Sequence, residues 1–142
     1  MRISTIQLSQ WRILKDTPIM LLDATVKTGD KIFAPSWEIV TDVKSGRITE
    51  EEYTRRYTEQ MRISYKSHKF HWLEQLKQEH FAIACFCTPG DFCHRHILAK
   101  MFEAVGKTEG IEVKLTGEIT KDNLCQLLIT PELTKSNETG TT

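Results

Sequence analysis

Hydrophobic and polar positions along the chain predict short buried strands that alternate with helices. Continuous apolar runs at 18–24 and 81–87 are typical of strands buried on both faces of a sheet. A weaker alternation at 2–8 and an apolar segment at 111–116 predict a first and a last strand. Apolar strands that alternate with helices predict an α/β fold with three layers, a mainly parallel sheet and helices on both faces.

Capping signals place helices between these strands. Thr49 and Glu52 match a capping box, and the acidic residues at 50–52 suit the positive end of a helix dipole. Asp91 predicts the N-cap of a later helix that ends at Gly106. In the first of these helices, large apolar side chains recur every four residues, at Tyr53, Tyr57 and Met61. We interpret this stripe as core packing.

Length and composition agree with one domain. The chain has 142 residues, of which 39% are hydrophobic and 27% charged, enough apolar material for one packed core. We expect a single α/β domain over 1–130. The segment 131–142 is rich in Thr, Ser, Asn and Gly and predicts a flexible C-terminal tail.

The charge balance narrows the classes of partner. Lys and Arg total 19, as do Asp and Glu, so a globally basic nucleic-acid-binding protein or a polybasic membrane-surface protein is disfavoured. No apolar run is long enough to span a bilayer and no secretory signal is visible, which predicts a cytoplasmic protein. A local basic strip predicts guidance of a nucleic acid, or else a solvated helix face: Arg55, Arg56, Arg62 and Lys66.

Three of the four cysteines lie close together, because Cys85, Cys87 and Cys93 fall within nine residues. Secreted disulfide-rich domains spread their cysteines over distant loops, so this clustering predicts reduced thiols. Cys85, inside a strand, and Cys125 are interpreted as small buried residues. Cys85 and Cys87 point to opposite faces of a strand, and no redox pair of the Cys-x-x-Cys type is predicted.

The strongest functional signal is the sequence Cys93-His94-Arg95 at a helix start. A strand that turns into a helix puts the helix N-terminus at the carboxyl edge of the sheet, where open α/β sheets bind ligands. The helix dipole favours a Cys93 thiolate that acts as nucleophile, with His94 as its base. Arg95 offers a charged fork for an anion. We therefore expect a pocket for a nucleotide, a phosphorylated metabolite or a nucleic-acid end.

Other residues are expected at the same edge. Asp23 ends the neighbouring apolar strand and is a candidate for the carboxylate that orients His94. The turn that precedes the helix is expected to contribute further ligand contacts from Cys87, Thr88 and Gly90.

Two alternatives remain open from the sequence. The first is a zinc-binding domain, although the ligand spacing matches no standard zinc knuckle; its candidate ligands are Cys87, Cys93 and His94, with His71 or His80. The second is a non-catalytic protein that acts on a host or partner protein through an exposed basic face. The sequence identifies no cofactor and no oligomeric state.

The Cys-His-Arg turn resembles the YeaO-like group, the family of domain of unknown function 488, and in particular its Cys-His-Arg-bearing phage and bacterial subgroup. The resemblance is carried by the strand and loop at 82–95, by Leu21-Leu22-Asp23 and by Glu51-Glu52-Tyr53. It covers most of 1–118 and implies a three-layer α/β fold with a pocket at this turn, without an established reaction. Many members carry Arg where Thr25 stands here, which makes Lys27 the candidate for that basic role.

Overall fold

The chain folds around a parallel β-sheet. The structure is a computed structural model and describes residues 1–86 and 93–129. Within these ranges the sheet has the strand order β2-β3-β1-β4, and every pair of neighbours is parallel. The strands are β1 (Arg2–Gln7), β2 (Met20–Asp23), β3 (His80–Cys85) and β4 (Lys114–Glu118). The predicted α/β architecture is confirmed.

Helices connect the strands and cover the sheet. They are α1 (Trp37–Lys44), α2 (Glu50–Ser67), α3 (Lys69–Leu76), α4 (His94–Glu109) and α5 (Leu124–Leu127), with a 3-10 segment at Leu8–Leu14. Thr49 caps α2 as predicted, since its hydroxyl accepts from the backbone N–H of Glu52 at 3.1 Å. Across the described ranges, none of these helices is both long enough and apolar enough to cross a bilayer.

Alternating side chains of β3 divide the interior into two cores. Phe81 and Ile83 join the larger core, where Trp72 of α3 and Phe102 of α4 pack together. Ala82 and Ala84 face the opposite side and pack with the 3-10 segment and α5. Because these alanines are small, short elements pack directly onto that face. The sheet is therefore the middle of three layers, as predicted.

The edge position of β2 corrects one prediction. The apolar run at 18–24 predicts a strand buried on both faces, yet Met20 and Leu21 are exposed. Only β3 pairs with β2 among the described strands, and this leaves one edge of β2 open. Hydrophobicity alone does not distinguish an apolar edge strand from a central one.

The C-terminus of α4 corrects a second prediction. Gly106 does not end this helix, which continues to Glu109 and ends at Gly110 with a φ of +74°. A Cβ at Gly106 would lie 2.6 Å from the side chain of Val113, so glycine is needed there for close packing. The tail predicted over 131–142 lies outside the described residues.

A buried polar cluster occupies the amino end of the sheet. His80 is 3% exposed, and its Nε2 lies 2.7 Å from Oγ of Ser4, which also contacts Thr116. Nδ1 of His80 has no hydrogen-bond partner within the described ranges. Burial lowers the pKa of His80 to about 4, and Arg2 contributes to the shift. His80 is therefore neutral at pH 7.

His80 makes stability depend on pH. Its pKa is about 4 in the folded chain against an ordinary 6.5, so between these values the unfolded state binds more protons. The free energy of unfolding is expected to fall as the pH drops through this window, by at most about 1.4 kcal/mol per pH unit for this histidine. His80→Gln should reduce the slope measured by urea unfolding. The exposed His71→Gln is the matched control, and equal slopes in both variants would contradict the assignment.

Candidate functional site

A pocket of about 370 Å³ lies at the carboxyl ends of β2 and β3, where α4 begins. Ligand sites in open α/β sheets occur at this edge. Its walls are mostly apolar and include Val26, Pro35, Val40, Val43, Tyr53 and Phe86. Its polar and reactive groups come from Thr25, Lys44, Glu50, Cys85, Cys93 and His94. The pocket therefore combines two cysteine sulfurs and an imidazole with hydrophobic walls.

The orientation of His94 is set by the backbone. Cys93 is the N-cap of α4, and His94 is its first residue. Nε2 of His94 lies 2.7 Å from the carbonyl oxygen of Ala24. Because a carbonyl oxygen only accepts, Nε2 carries the proton of this bond and donates it. Nδ1, 3.7 Å from Sγ of Cys93, is then the nitrogen with a lone pair in the neutral ring.

The surroundings keep this imidazole neutral. Burial lowers the pKa of His94 to about 4, which outweighs the opposing effect of the hydrogen bond to Ala24. The ring also packs edge-on against Tyr57, with 5.4 Å between the ring centroids. At pH 7, His94 is thus a base held in one tautomer.

The loop after β2 presents the carbonyl of Ala24. The carboxylate of Asp23 accepts from the N–H of Thr25 at 2.9 Å and from the hydroxyl of Thr28 at 2.7 Å. A Cβ at Gly29 would lie 2.4 Å from the backbone of Thr25, so the loop can close this tightly only on glycine. Asp23 therefore shapes the loop, while the imidazole is oriented by a carbonyl and not, as predicted, by this carboxylate.

Arg95 is bound inside the protein. Its side chain is fully buried, and two of its nitrogens lie 3.1 and 3.4 Å from the carboxylate of Glu118. A third nitrogen, Nη1, lies 2.6 Å from Sγ of Cys85. Thr5 donates a further hydrogen bond to Glu118. Arg95 is not among the described residues that line the pocket, which differs from the prediction that it holds the anion.

Cys85 and Cys93 are joined by a disulfide. The two residues are eight positions apart, at the end of β3 and at the N-cap of α4, and both are buried. The structure differs here from the expectation of reduced thiols, and Cys85 lines the pocket in addition to packing in the core. Cys125 is free, but it is exposed where the sequence predicts burial.

A family model decides the assignment that the geometry leaves open. The model DUF488-N3a, described as the active DUF488-N3 subclade, matches residues 10–106. The chain belongs to the DUF488 family. This confirms the resemblance to the YeaO-like group, while the narrower phage and bacterial subgroup stays a prediction. Comparisons with curated proteins and with solved structures gave no match.

The basic residues expected at the site are placed differently in this DUF488 chain. Lys27 is exposed and is not among the described residues that line the pocket, whereas Lys44 at the end of α1 is. Neither Lys44 nor Glu118 carries a local sequence signal, because both reach the site only through tertiary packing. The remaining predicted contacts, Cys87, Thr88 and Gly90, lie outside the described residues.

The zinc alternative gains no support. Within 1–86 and 93–129, no group of three or more His, Cys, Asp or Glu side chains could hold a metal ion. His71 is exposed on α3, and His80 begins β3, at the opposite end of the strand from Cys85. The two histidines considered as additional ligands therefore do not join Cys93 and His94.

Carboxylates accompany the basic strip on α2. Arg55 lies 2.5 Å from Glu52, and Arg56 lies 3.1 Å from the same carboxylate. Arg62 lies 3.5 Å from Glu59. These ion pairs offset much of the local positive charge that the sequence suggests, since Glu52 lies one helical turn before Arg55 and Arg56. The arrangement agrees better with a solvated helix face than with a nucleic-acid track.

Proposed function

We propose that this DUF488 protein is an enzyme that uses Cys93, in its reduced form, as a nucleophile on a small substrate in the pocket. The observation that supports this most is the hydrogen bond from Nε2 of His94 to the carbonyl of Ala24. It leaves Nδ1 as the acceptor 3.7 Å from Sγ of Cys93. A nucleophile beside an oriented base is the arrangement that covalent catalysis needs. The description of the matching subclade as active agrees with an enzyme.

Proton transfer from the Cys93 thiol to Nδ1 of His94 is energetically feasible. The pKa of about 4 applies to His94 beside a sulfur that carries no charge. A thiolate near 4 Å attracts an imidazolium by about 4 kcal/mol at an effective dielectric constant of about 20, which offsets much of the burial cost. The 16-residue helix α4 adds its positive end, with no acidic residue in its first turn. Nδ1 accepts the thiol proton and returns it to the leaving group.

The pocket favours a substrate with an apolar body and an anionic group. About 370 Å³ is near the lower end of the range for small-molecule sites, about 300–1,000 Å³. The apolar walls suit a planar or hydrophobic body. Of the two charged lining residues, Glu50 is a carboxylate and Lys44 is the cation that can contact an anion. A nucleoside monophosphate has this chemistry. Lys44, and not Arg95, is therefore our candidate for the anion contact.

The nucleophile role predicts a reactive Cys93. In protein reduced with dithiothreitol, iodoacetamide should alkylate Cys93 with a half-maximal rate below about pH 8.5, the ordinary pKa of a cysteine thiol. Cys125, which is free and exposed, is the internal standard in the same sample. His94→Gln keeps a hydrogen-bond donor for the carbonyl of Ala24 but removes the base. It should lower the rate of Cys93 alkylation about tenfold at pH 7, the effect of a one-unit rise in the thiol pKa. If Cys93 and Cys125 are alkylated at the same rate and with the same pH dependence, Cys93 is not an activated nucleophile.

The substrate class predicts protection by a nucleotide. Adenosine monophosphate should slow alkylation of Cys93 in the reduced protein, because it occupies the same pocket. Lys44→Met should weaken this protection about tenfold or more, the loss expected for about 1.4 kcal/mol of charge-assisted contact. Lys27→Met is the matched control, since Lys27 is exposed and absent from the described pocket lining. If both variants lose protection equally, Lys44 does not hold the phosphate.

A further inference from the structure

We propose that Cys85 and Cys93 form a reversible redox couple that reacts with hydroperoxides, with Cys93 as the attacking thiol and Cys85 as the thiol that resolves it. Oxidation would remove the nucleophile proposed above and so inactivate the enzyme, and this consequence rests on the function proposed for Cys93. The couple itself rests on the contact between the two sulfurs and on the surroundings of Cys85.

Arg95 gives Cys85 a charged partner that an ordinary core cysteine lacks. Nη1 of Arg95 lies 2.6 Å from Sγ of Cys85, and the guanidinium is fully buried. Two further contacts, with Glu118, help to fix the guanidinium at this position. A permanent cation against a sulfur stabilises the thiolate over the thiol. Cys85 is therefore suited both to attack an oxidised partner and to leave when the disulfide is reduced.

Access is limited to small oxidants. Cys85 and Cys93 both line the pocket, and their exposed fractions are only 1% and 4%. A hydroperoxide small enough for about 370 Å³ reaches the sulfurs through the pocket. The same position makes oxidation and substrate binding compete for Cys93.

The oxidation takes two balanced steps. The Cys93 thiolate attacks one oxygen of the hydroperoxide, so that an S–O bond forms, the O–O bond breaks, and water or an alcohol leaves with a proton. The Cys85 thiolate then attacks the sulfenic sulfur, an S–S bond forms, and hydroxide leaves as water after protonation. Two thiols lose two electrons to the peroxide. A dithiol reductant reverses the couple by attacking Sγ of Cys93 and displacing the Cys85 thiolate.

Peptide mapping tests the couple directly. Chymotryptic cleavage after Phe81, Phe86 and Phe92 separates Cys85, Cys87 and Cys93 onto different peptides, as the sequence shows. Reduced protein treated with hydrogen peroxide should yield the peptide 82–86 linked to the peptide that begins at 93, and dithiothreitol should release both. A link from Cys87 to Cys93, or over-oxidised Cys93 without any link, would overturn the proposal.

Two variants assign the roles. In Cys85→Ser, peroxide should leave Cys93 as a sulfenic acid that dimedone traps, whereas Cys87→Ser, the matched control, should still form the link. Dimedone trapping at Cys85 in Cys93→Ser, without trapping at Cys93 in Cys85→Ser, would overturn the order of attack. The peptide masses report the disulfide and the sulfenic acid whether or not the protein is an enzyme. The nucleophile role of Cys93 and the redox couple can therefore be refuted independently. A disulfide with an unreactive Cys93 refutes the nucleophile, and a reactive Cys93 without the disulfide refutes the couple.

Discussion

The hydrogen bond between Nε2 of His94 and the carbonyl oxygen of Ala24 connects the end of β2 to the start of α4. It places the imidazole over the pocket and fixes which nitrogen carries the proton. The loop that Asp23 and Gly29 hold in shape presents this carbonyl. The chemistry assigned to Cys93 therefore depends on a backbone group 70 residues away from His94 along the chain, and on the folding of a tight loop.

A second constraint comes from the ion pair between the fully buried Arg95 and the partly buried Glu118. Taking a guanidinium out of water is costly, and the bidentate contact with Glu118 compensates for it. Removing one partner of such a pair typically costs about 3–5 kcal/mol. The third contact of Arg95, to Cys85, gives a reason for a cation at this depth. One ion pair thus stabilises the start of α4 and sets the electrostatics of the disulfide.

Sequence patterns predict the layers and the Cys-His-Arg turn because strand periodicity and helix capping are local. They do not predict that Glu118 neutralises Arg95, since this depends on how β4 lies beside β1. They also miss the pairing of Cys85 with Cys93, because Cys85 looks like an ordinary apolar site within its strand, and nothing local to Cys93 indicates which other sulfur it contacts. That Lys44 lines the pocket is missed for the same reason: its proximity to the pocket follows from how α1 packs, which no local pattern encodes.

Measuring the tautomer of His94 tests most directly whether Nδ1 is the base for Cys93, since that assignment requires the proton to be on Nε2. Nitrogen-15 NMR of the imidazole in the disulfide form, at pH 7, measures which ring nitrogen is protonated. We predict a neutral ring with the proton on Nε2, and no second protonation until the pH approaches about 4. A ring protonated on Nδ1 at pH 7, alone or together with Nε2, would contradict this assignment.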